Sequence, residues 1–371
     1  MNRAPVAKKV LQYLAHAEGI CLSGWGSKYG HIEKGVHKNL MKDKTDIVST
    51  QQFDEVIRLI QHARSEIVRT ANSQLIELYW QLGAYMSDKI ESSQWGDSVV
   101  QQLSEYIARK APELKGFSAQ NLWRMKQFYE AYRNADEKLS PLVREISWTN
   151  NLIILSRTKS EEERSFYLQL CVKERLSKRD LNRQIDSALF ERTMMEKPKL
   201  SPLLREIAPS AEQVFRDQYV MEFIGGKEYK TENSIKSALV QQMKEFILEL
   251  GKDFIFIDEE YRLQVGNSDF RIDLLFFHRE LQCLVAFELK MGSFKPEHLG
   301  QLNFYLEALD RDVKKPHENP SIGILLCKDK DNEVVEYALS RSLSPTMVAE
   351  YKLCLPDKKL LQAKMREIEA E

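Results

Sequence analysis

Between residues 46 and 195 the apolar positions recur at helical spacing. Phe53, Val56, Ile57, Ile60 and Ala63 fall on one face, and Val68, Leu75, Leu78, Tyr79 and Leu82 continue the pattern. Ser118 is placed to cap a helix with Leu122, Met125, Phe128 and Tyr129 on one side. Ser160 precedes Glu161, Glu162 and Glu163, acids that suit a first helical turn. Ser177 opens a further helix running through Ile185 and Leu189. No run here alternates with period two, so the spacing predicts an all-α domain over 46–195. Trp80, Trp123 and Trp148 are expected in its core. Pro198, Pro202 and Pro209 then punctuate 196–225, which reads as a linker with short helical pieces.

From residue 226 the pattern changes. Thr231 can cap a helix through Leu250, stopped by Gly251. Strands are expected over 254–265, 270–277 and 282–289, with turns at Gly266–Asp269 and His278–Leu281. A helix over 296–309, a strand over 322–327, a short helix over 334–340 and a strand over 347–353 follow. The order is helix, three strands, helix, strand, which predicts an α/β domain over 226–355. Residues 356–371 form a charged tail, read as an amphipathic helix or a frayed end. The fold class is therefore α+β overall.

Composition narrows the function classes. The 371 residues are 43% hydrophobic and 29% charged, as in folded globular chains. Lys plus Arg number 54 and Asp plus Glu 55, so a nucleic-acid surface would have to come from local clustering. Residues 1–45 are one such cluster: Arg3, Lys8, Lys9, Lys28, Lys34, Lys38, Lys42 and Lys44 stand against Glu18, Glu33 and Asp43. With a third of the 15 glycines, this segment reads as a flexible extension, or alternatively as a basic arm for phosphates. The five cysteines form no CxxC pair, which argues against a cysteine zinc site and for reduced thiols. No secretory apolar region and no membrane-length run occurs, so a cytoplasmic location is expected. No P-loop, GxSxG or histidine metal spacing is present. His278 reads as a solvated turn residue, or less readily as a proton shuttle.

The chemistry gathers in two apolar strands. Asp273 interrupts Arg271–Phe277, and Glu288 and Lys290 end Cys283–Lys290. Period two puts Glu288 and Lys290 on one face, and a hairpin can bring Asp273 beside Glu288. Carboxylates among Leu, Phe and Val are unfavourable unless paired or metal-bound. Two of them make an oxygen site suited to Mg²⁺, for which Mn²⁺ can substitute, with Lys290 beside it. The plain alternative is a structural ion pair between strands. Downstream, Gln301 and Tyr305 lie four apart on one helical face, and Lys295 precedes that helix. In the helical domain, Arg124 and Lys126 beside Trp123, with Lys178 and Arg179, are candidate nucleic-acid contacts or simply solvated faces.

Asp273, Glu288-Leu289-Lys290, Gln301 and Tyr305 resemble the PD-(D/E)xK nuclease motif followed by a Q-x-x-x-Y helix. More narrowly, the chain resembles the YhcG-like nucleases, with a helical domain ahead of a PD-(D/E)xK domain. Ala71-Asn72-Ser73, Leu78-Tyr79-Trp80, Phe128-Tyr129-Glu130-Ala131, Arg183-Gln184-Ile185-Asp186-Ser187, and Phe287-Glu288-Leu289-Lys290 with Phe294-Lys295-Pro296 carry this, over residues 48–353. The resemblance implies a restriction-endonuclease-like core and Mg²⁺-dependent cleavage of nucleic acid, DNA in the family's pattern, in restriction, repair or mobile-element defence. It implies Asp273, Glu288 and the Leu289 carbonyl as metal ligands, Lys290 serving the attacking water, and Gln301 and Tyr305 shaping the site. Ile272 stands where the family's nominal proline would be. The early helix's usual further acid would be Glu232. The helical domain would bind DNA or a partner, and a homodimer would suit a double-strand cut. Two other readings remain: a non-catalytic nucleic-acid-binding or assembly subunit that kept the fold, and a helical interaction protein for another restriction or repair component.

Overall fold

The computed structural model describes residues 42–92, 95, 97–134 and 139–370. The expectations for residues 1–41 lie outside them. The chain divides into two units at Ser65. Described residues 42–65 of the first are helical, the opening part of α1 (Lys42–Glu91). Glu66–Glu371 make the second unit, to which everything below belongs unless stated.

The helical region is as the spacing predicts. After α1 come α2 (Asp97–Lys110), α3 (Ala119–Tyr132), α4 (Leu139–Glu145), α5 (Trp148–Arg157), α6 (Glu161–Glu174), α7 (Lys178–Asp186) and α8 (Leu189–Met195). Ser118, Ser160 and Ser177 each accept a backbone N–H as N-caps, and Asp180 completes a capping box at Ser177. Ile76, Tyr79 and Met86 pack with Leu122, Met125, Phe128, Ile154, Tyr167 and Leu181, and Trp80, Trp123 and Trp148 lean on that core half-buried. Gly83 lets α1 and α3 touch: a Cβ there would stand 2.3 Å from the Met125 carbonyl oxygen. Phe53, Val56, Ile57 and Ile60 in the first unit, and Val68, Leu75 and Leu78 in the second, are exposed. The period is right for a helix, but in the second unit the buried positions of α1 are Ile76, Tyr79 and Met86.

The stretch read as a linker is not one. It contains β1 (Lys199–Leu200), α9 (Pro202–Ile207), α10 (Ala211–Val214) and β2 (Gln218–Val220). Both short strands pair with the last strand of the sheet, β1 antiparallel and β2 parallel. Leu200, Leu204, Phe215, Tyr219 and Met221 join its core. Prolines mark where the backbone turns, but the apolar residues between them are what the fold buries.

The remainder follows the expected order: α11 (Glu232–Gln241), α12 (Met243–Leu250), β3 (Phe254–Val265), β4 (Ser268–His278), β5 (Cys283–Ser293), α13 (His298–Ala308), β6 (Asn319–Asp329), α14 (Asn332–Leu339), β7 (Thr346–Lys352) and α15 (Lys358–Ala370). The single helix expected up to Gly251 is two, broken at Gln242, whose N–H is shared among the carbonyls of Ala238, Leu239 and Val240. The sheet order is β1-β7-β6-β5-β4-β3, with β2 also on β7. β3, β4 and β5 form an antiparallel meander, and β5, β6 and β7 run parallel. Helices α11 and α12 cover one face through Leu239, Phe246 and Leu250; α13 and α14 cover the other through Leu302, Leu306, Val335 and Leu339. His278 ends β4 fully buried, its Nδ1 accepting the Leu281 N–H at 3.1 Å and its ring 4.7 Å from that of Phe254. It is neither a solvated turn residue nor near Asp273, and burial lowers its pKa.

Glu249, at the end of α12, joins the helical and sheet regions. It is 0% exposed. Arg183 of α7 donates to it at 3.0 Å, Arg192 of α8 at 3.1 Å, and Arg216 lies 3.4 Å away. The Val220 N–H of β2 adds a bond at 2.9 Å. Burial alone would raise the Glu249 pKa, but the charges of Arg192, Arg216 and Arg183 hold it down at about 2, against an ordinary 4.5. The last helix, α15, adds a second tie: Lys358 reaches Glu163 at 2.9 Å, and Gln362 donates to Glu191 at 2.8 Å.

Glu249→Gln should lower stability by about 3–5 kcal/mol, read from urea denaturation at pH 7, because it strands buried guanidinium charge. The depressed carboxyl contributes stability above its ordinary pKa, and that contribution fades as pH falls from about 4.5 through about 2. Acid should therefore narrow the gap between wild type and Glu249→Gln, and a gap constant from pH 6 to pH 2 would contradict the assignment.

Candidate active site

The register of the meander decides which side chains meet. Leu274 pairs with Phe287, and Asp273 and Glu288 come next on their strands, where the regular β4–β5 pairing stops. There Asp273 Oδ2 accepts the Leu289 N–H at 2.9 Å, a side chain replacing a backbone partner. Along β5, Val285, Phe287 and Leu289 face the α11–α12 core while Leu284 and Ala286 face α13. Strand alternation therefore sends Glu288 towards α13.

Each of the two inner carboxylates carries a lysine. Lys290 Nζ donates to Glu288 Oε1 at 2.9 Å. Lys236 of α11, 4% exposed, donates to Asp273 Oδ1 at 3.0 Å. Each lysine also meets a second, outer acid: Lys290 lies 3.6 Å from Glu232, and Lys236 forms an ion pair with Glu260 of β3. Glu232, at the first turn of α11, also accepts the Met291 N–H at 3.4 Å. Its charge also reaches Glu288, whose pKa it helps to raise.

Glu288 is 3% exposed, and its Oε2 has no hydrogen-bond partner. Burial, first, and the Asp273 charge push its pKa up to about 7, although the Lys290 bond opposes them. Burial would lower the Lys290 pKa, but Glu288, then Glu232 and Asp273, raise it, so the ammonium stays charged. On α13, Gln301 Nε2 donates to the Tyr305 hydroxyl at 2.7 Å. The Tyr305 phenol is 4% exposed; burial raises its pKa, and the Glu288 and Asp273 carboxylates add to that. The motif residues predicted from the sequence therefore converge on one end of β4 and β5.

Does the site suit a divalent cation? Among the described residues no group of three or more His, Cys, Asp or Glu gathers as a metal cluster. The donors are the two carboxylates, and one of them presents a buried, unpartnered oxygen beside a second negative charge. A hard cation would satisfy both features. The residues fit.

Two family models match separate parts of the chain. The DUF1016 N-terminal domain matches residues 55–192, and the YhcG PDDEXK nuclease domain matches residues 212–366. The nuclease-family protein YhcG of Escherichia coli (strain K12) is 33% identical over 348 residues, covering 84% of this chain and 92% of that protein. The chain belongs to the YhcG family of PD-(D/E)xK nucleases. Among solved structures, a repair endonuclease from Pyrococcus abyssi is 16% identical, with a TM-score of 0.24, covering 36% of this chain and 50% of that one. An EndoMS–double-stranded DNA complex is 18% identical, with a TM-score of 0.23, covering 36% and 49%.

Lys236 and Glu260 escaped the sequence reading. Lys236 sits four residues after Glu232, hence on the same helical face, and between the apolar Ile235 and Leu239. A lysine so placed was the available signal. Glu260 gave none, because its place depends on β3, where it has a left-handed φ of 52°. The surface cations sort differently. Arg124 and Lys178, far apart in sequence, line one cavity of about 540 Å³ with Asn121, Trp148 and Ser156. Lys126 is held by Glu130 and lies over the Trp123 ring, so it is not a free cation. Arg179 is 83% exposed, 3.7 Å from Glu245. Lys295 is exposed beside Glu297, ahead of α13 and apart from the pairs around Glu288. Among the described residues no helix is long and apolar enough to cross a membrane.

In EDTA, the raised Glu288 carboxyl should make the protein less stable as pH rises. Its contribution is complete below about 4.5 and lost as pH passes about 7. Glu288→Gln should flatten this dependence and exceed wild type at pH 8, by up to about 3 kcal/mol. Thermal melts from pH 5 to pH 8 read both effects.

Proposed function

We propose that the chain is a Mg²⁺-dependent nuclease, with Mn²⁺ able to substitute, that hydrolyses phosphodiester bonds in DNA. The observation that supports this best is the unpartnered, buried Glu288 Oε2 beside Asp273 and Lys290. Asp273, Glu288 and the Leu289 carbonyl would hold the ion, with Glu232, 3.6 Å from Lys290, as the further candidate ligand from α11. When bound, the ion supplies charge neutralisation at the scissile phosphate and a more acidic water.

The chain's own residues do the rest. Glu288 Oε1 orients the Lys290 ammonium, and Glu232 limits where it can swing. That ammonium is then positioned to orient the attacking water and to balance charge developing on the phosphate. Gln301 fixes the Tyr305 hydroxyl, which closes the α13 side of the site against bulk water. On the helical side, Arg124 and Lys178 around their shared cavity, with exposed Arg179, offer phosphate contacts without a sequence code. Lys295 is a further phosphate contact ahead of α13. The DNA-binding role of the helical domain, the cytoplasmic location and a role in restriction, repair or defence belong to this same reading.

The test is nicking of supercoiled plasmid with Mg²⁺, with Mn²⁺ and with EDTA. Wild type should cut with either metal and not with EDTA. Asp273→Ala and Glu288→Ala should cut undetectably while remaining folded by circular dichroism. Lys290→Ala should lose about 10²–10⁴ in rate with metal binding retained. Metal-independent cutting, or cutting by Asp273→Ala, would sink the reading. For binding, Arg124→Ala with Lys178→Ala should weaken DNA affinity evenly across sequences and reduce its salt slope by about 2.

A further inference from the structure

Lys236 has no part in the chemistry described above, yet it is the most buried cation at the site. Its side chain is 5% exposed, against 14% for Lys290. An ammonium desolvated to that degree persists only where carboxylates hold it. Two do, and they differ. Asp273 is an inner carboxylate, its other oxygen fixed by the Leu289 N–H. Glu260 is outer, 34% exposed on its side chain, and approached by Arg271 at 3.6 Å. Glu259 pairs with Leu274 and Tyr261 with Ile272, so Glu260 stands directly across from Asp273 on the neighbouring strand. It does so with a φ of 52°, a conformation that a glutamate adopts only against strain. That strained residue and Asp273 grip the same lysine.

We propose that Lys236 is the built-in counter-cation of Asp273, released to Glu260 when Asp273 takes up a divalent cation. Without it, Asp273 would face Glu288 uncompensated in a poorly solvated site. With it, the metal-free site is neutralised by the chain itself, and the cation must displace a lysine to enter. Glu260 supplies the place to which that lysine retreats, so it need not be expelled into solvent. Lys236 and Glu260 are thus positioning residues, acting on metal affinity through Asp273. This rests on the functional reading above and extends it to two residues outside the motif.

The experiment is calorimetric titration of Mn²⁺ into the full-length protein without nucleic acid, alongside thermal melts in EDTA. Wild type should bind. Lys236→Met should bind at least about tenfold more tightly, since a competing charge has gone, and its melting temperature in EDTA should fall. Glu260→Gln should bind more weakly, because the lysine has lost its alternative partner. In the double variant the Glu260→Gln effect should vanish. Unchanged or weaker binding by Lys236→Met overturns the proposal, as does equal weakening by Glu260→Gln in both backgrounds, which would make Glu260 a direct attractor of the ion. No binding by wild type overturns both this proposal and the metal-dependent function; binding by wild type with a silent Lys236→Met overturns this proposal alone. Should Lys236→Met fail to fold, Lys236→Gln takes its place in both the single and the double variant, and unchanged affinity there counts against the proposal.

Discussion

A carboxylate shut off from solvent must be matched by cations that are themselves held in place, and Glu249 is matched by three. Arg183 and Arg192 come from consecutive helices of the N-terminal region, and Arg216 from the segment before β2. Two of the guanidiniums have a further anchor: Arg183 on Glu222 and the Val220 carbonyl, Arg192 on the Gln218 carbonyl. Fixed forks of this kind hold geometry as well as charge. The network fastens α12 to the helical region and to β2. Since α11 leads into α12, it also bears on where Glu232 and Lys236 stand relative to the sheet.

The site shows the opposite arrangement. Glu249 has its lone pairs matched and its pKa held low; Glu288 has one oxygen unmatched and its pKa raised. Both are buried glutamates in the same domain. The difference lies in the neighbours, three arginines in one case and a second carboxylate in the other. One environment makes a structural charge, and the other makes a charge awaiting a partner. Lys236 and Lys290 offset the two inner carboxylates, while the outer, more exposed Glu232 and Glu260 leave the cluster acidic overall.

The sheet explains why the motif is spread over so much chain. Asp273 and Glu288 meet through a hairpin, Gln301 and Tyr305 arrive on the crossover helix, and Glu232 and Lys236 arrive from the helix on the other face. Gly323 of β6 lets α13 sit close: a Cβ there would lie 2.8 Å from Leu302 Cγ. The Tyr305 hydroxyl is thereby held near the carboxylates by packing one turn away from it.

Much of this was legible in the residues alone. Periods of 3.6 and 2, serine caps and glycine stops are local properties, and they located the helices and the meander to within a few positions. The spacing of Asp273, Glu288 and Lys290 is also local to one hairpin, so strand alternation was enough to bring them together. Burial was not legible, because it depends on what packs against each face. Phe53, Val56, Ile57, Ile60, Val68, Leu75 and Leu78 follow a helical apolar period and are exposed, while the proline-rich stretch from 196 to 225 reads as linker and joins the sheet. Lys236 and Glu260 were missed for the same reason. A lysine in a helix and a glutamate in a strand carry no local mark of meeting one aspartate; that meeting exists only once β3, β4 and α11 are packed, when the backbone left-handed turn at Glu260 and the buried ammonium become neighbours.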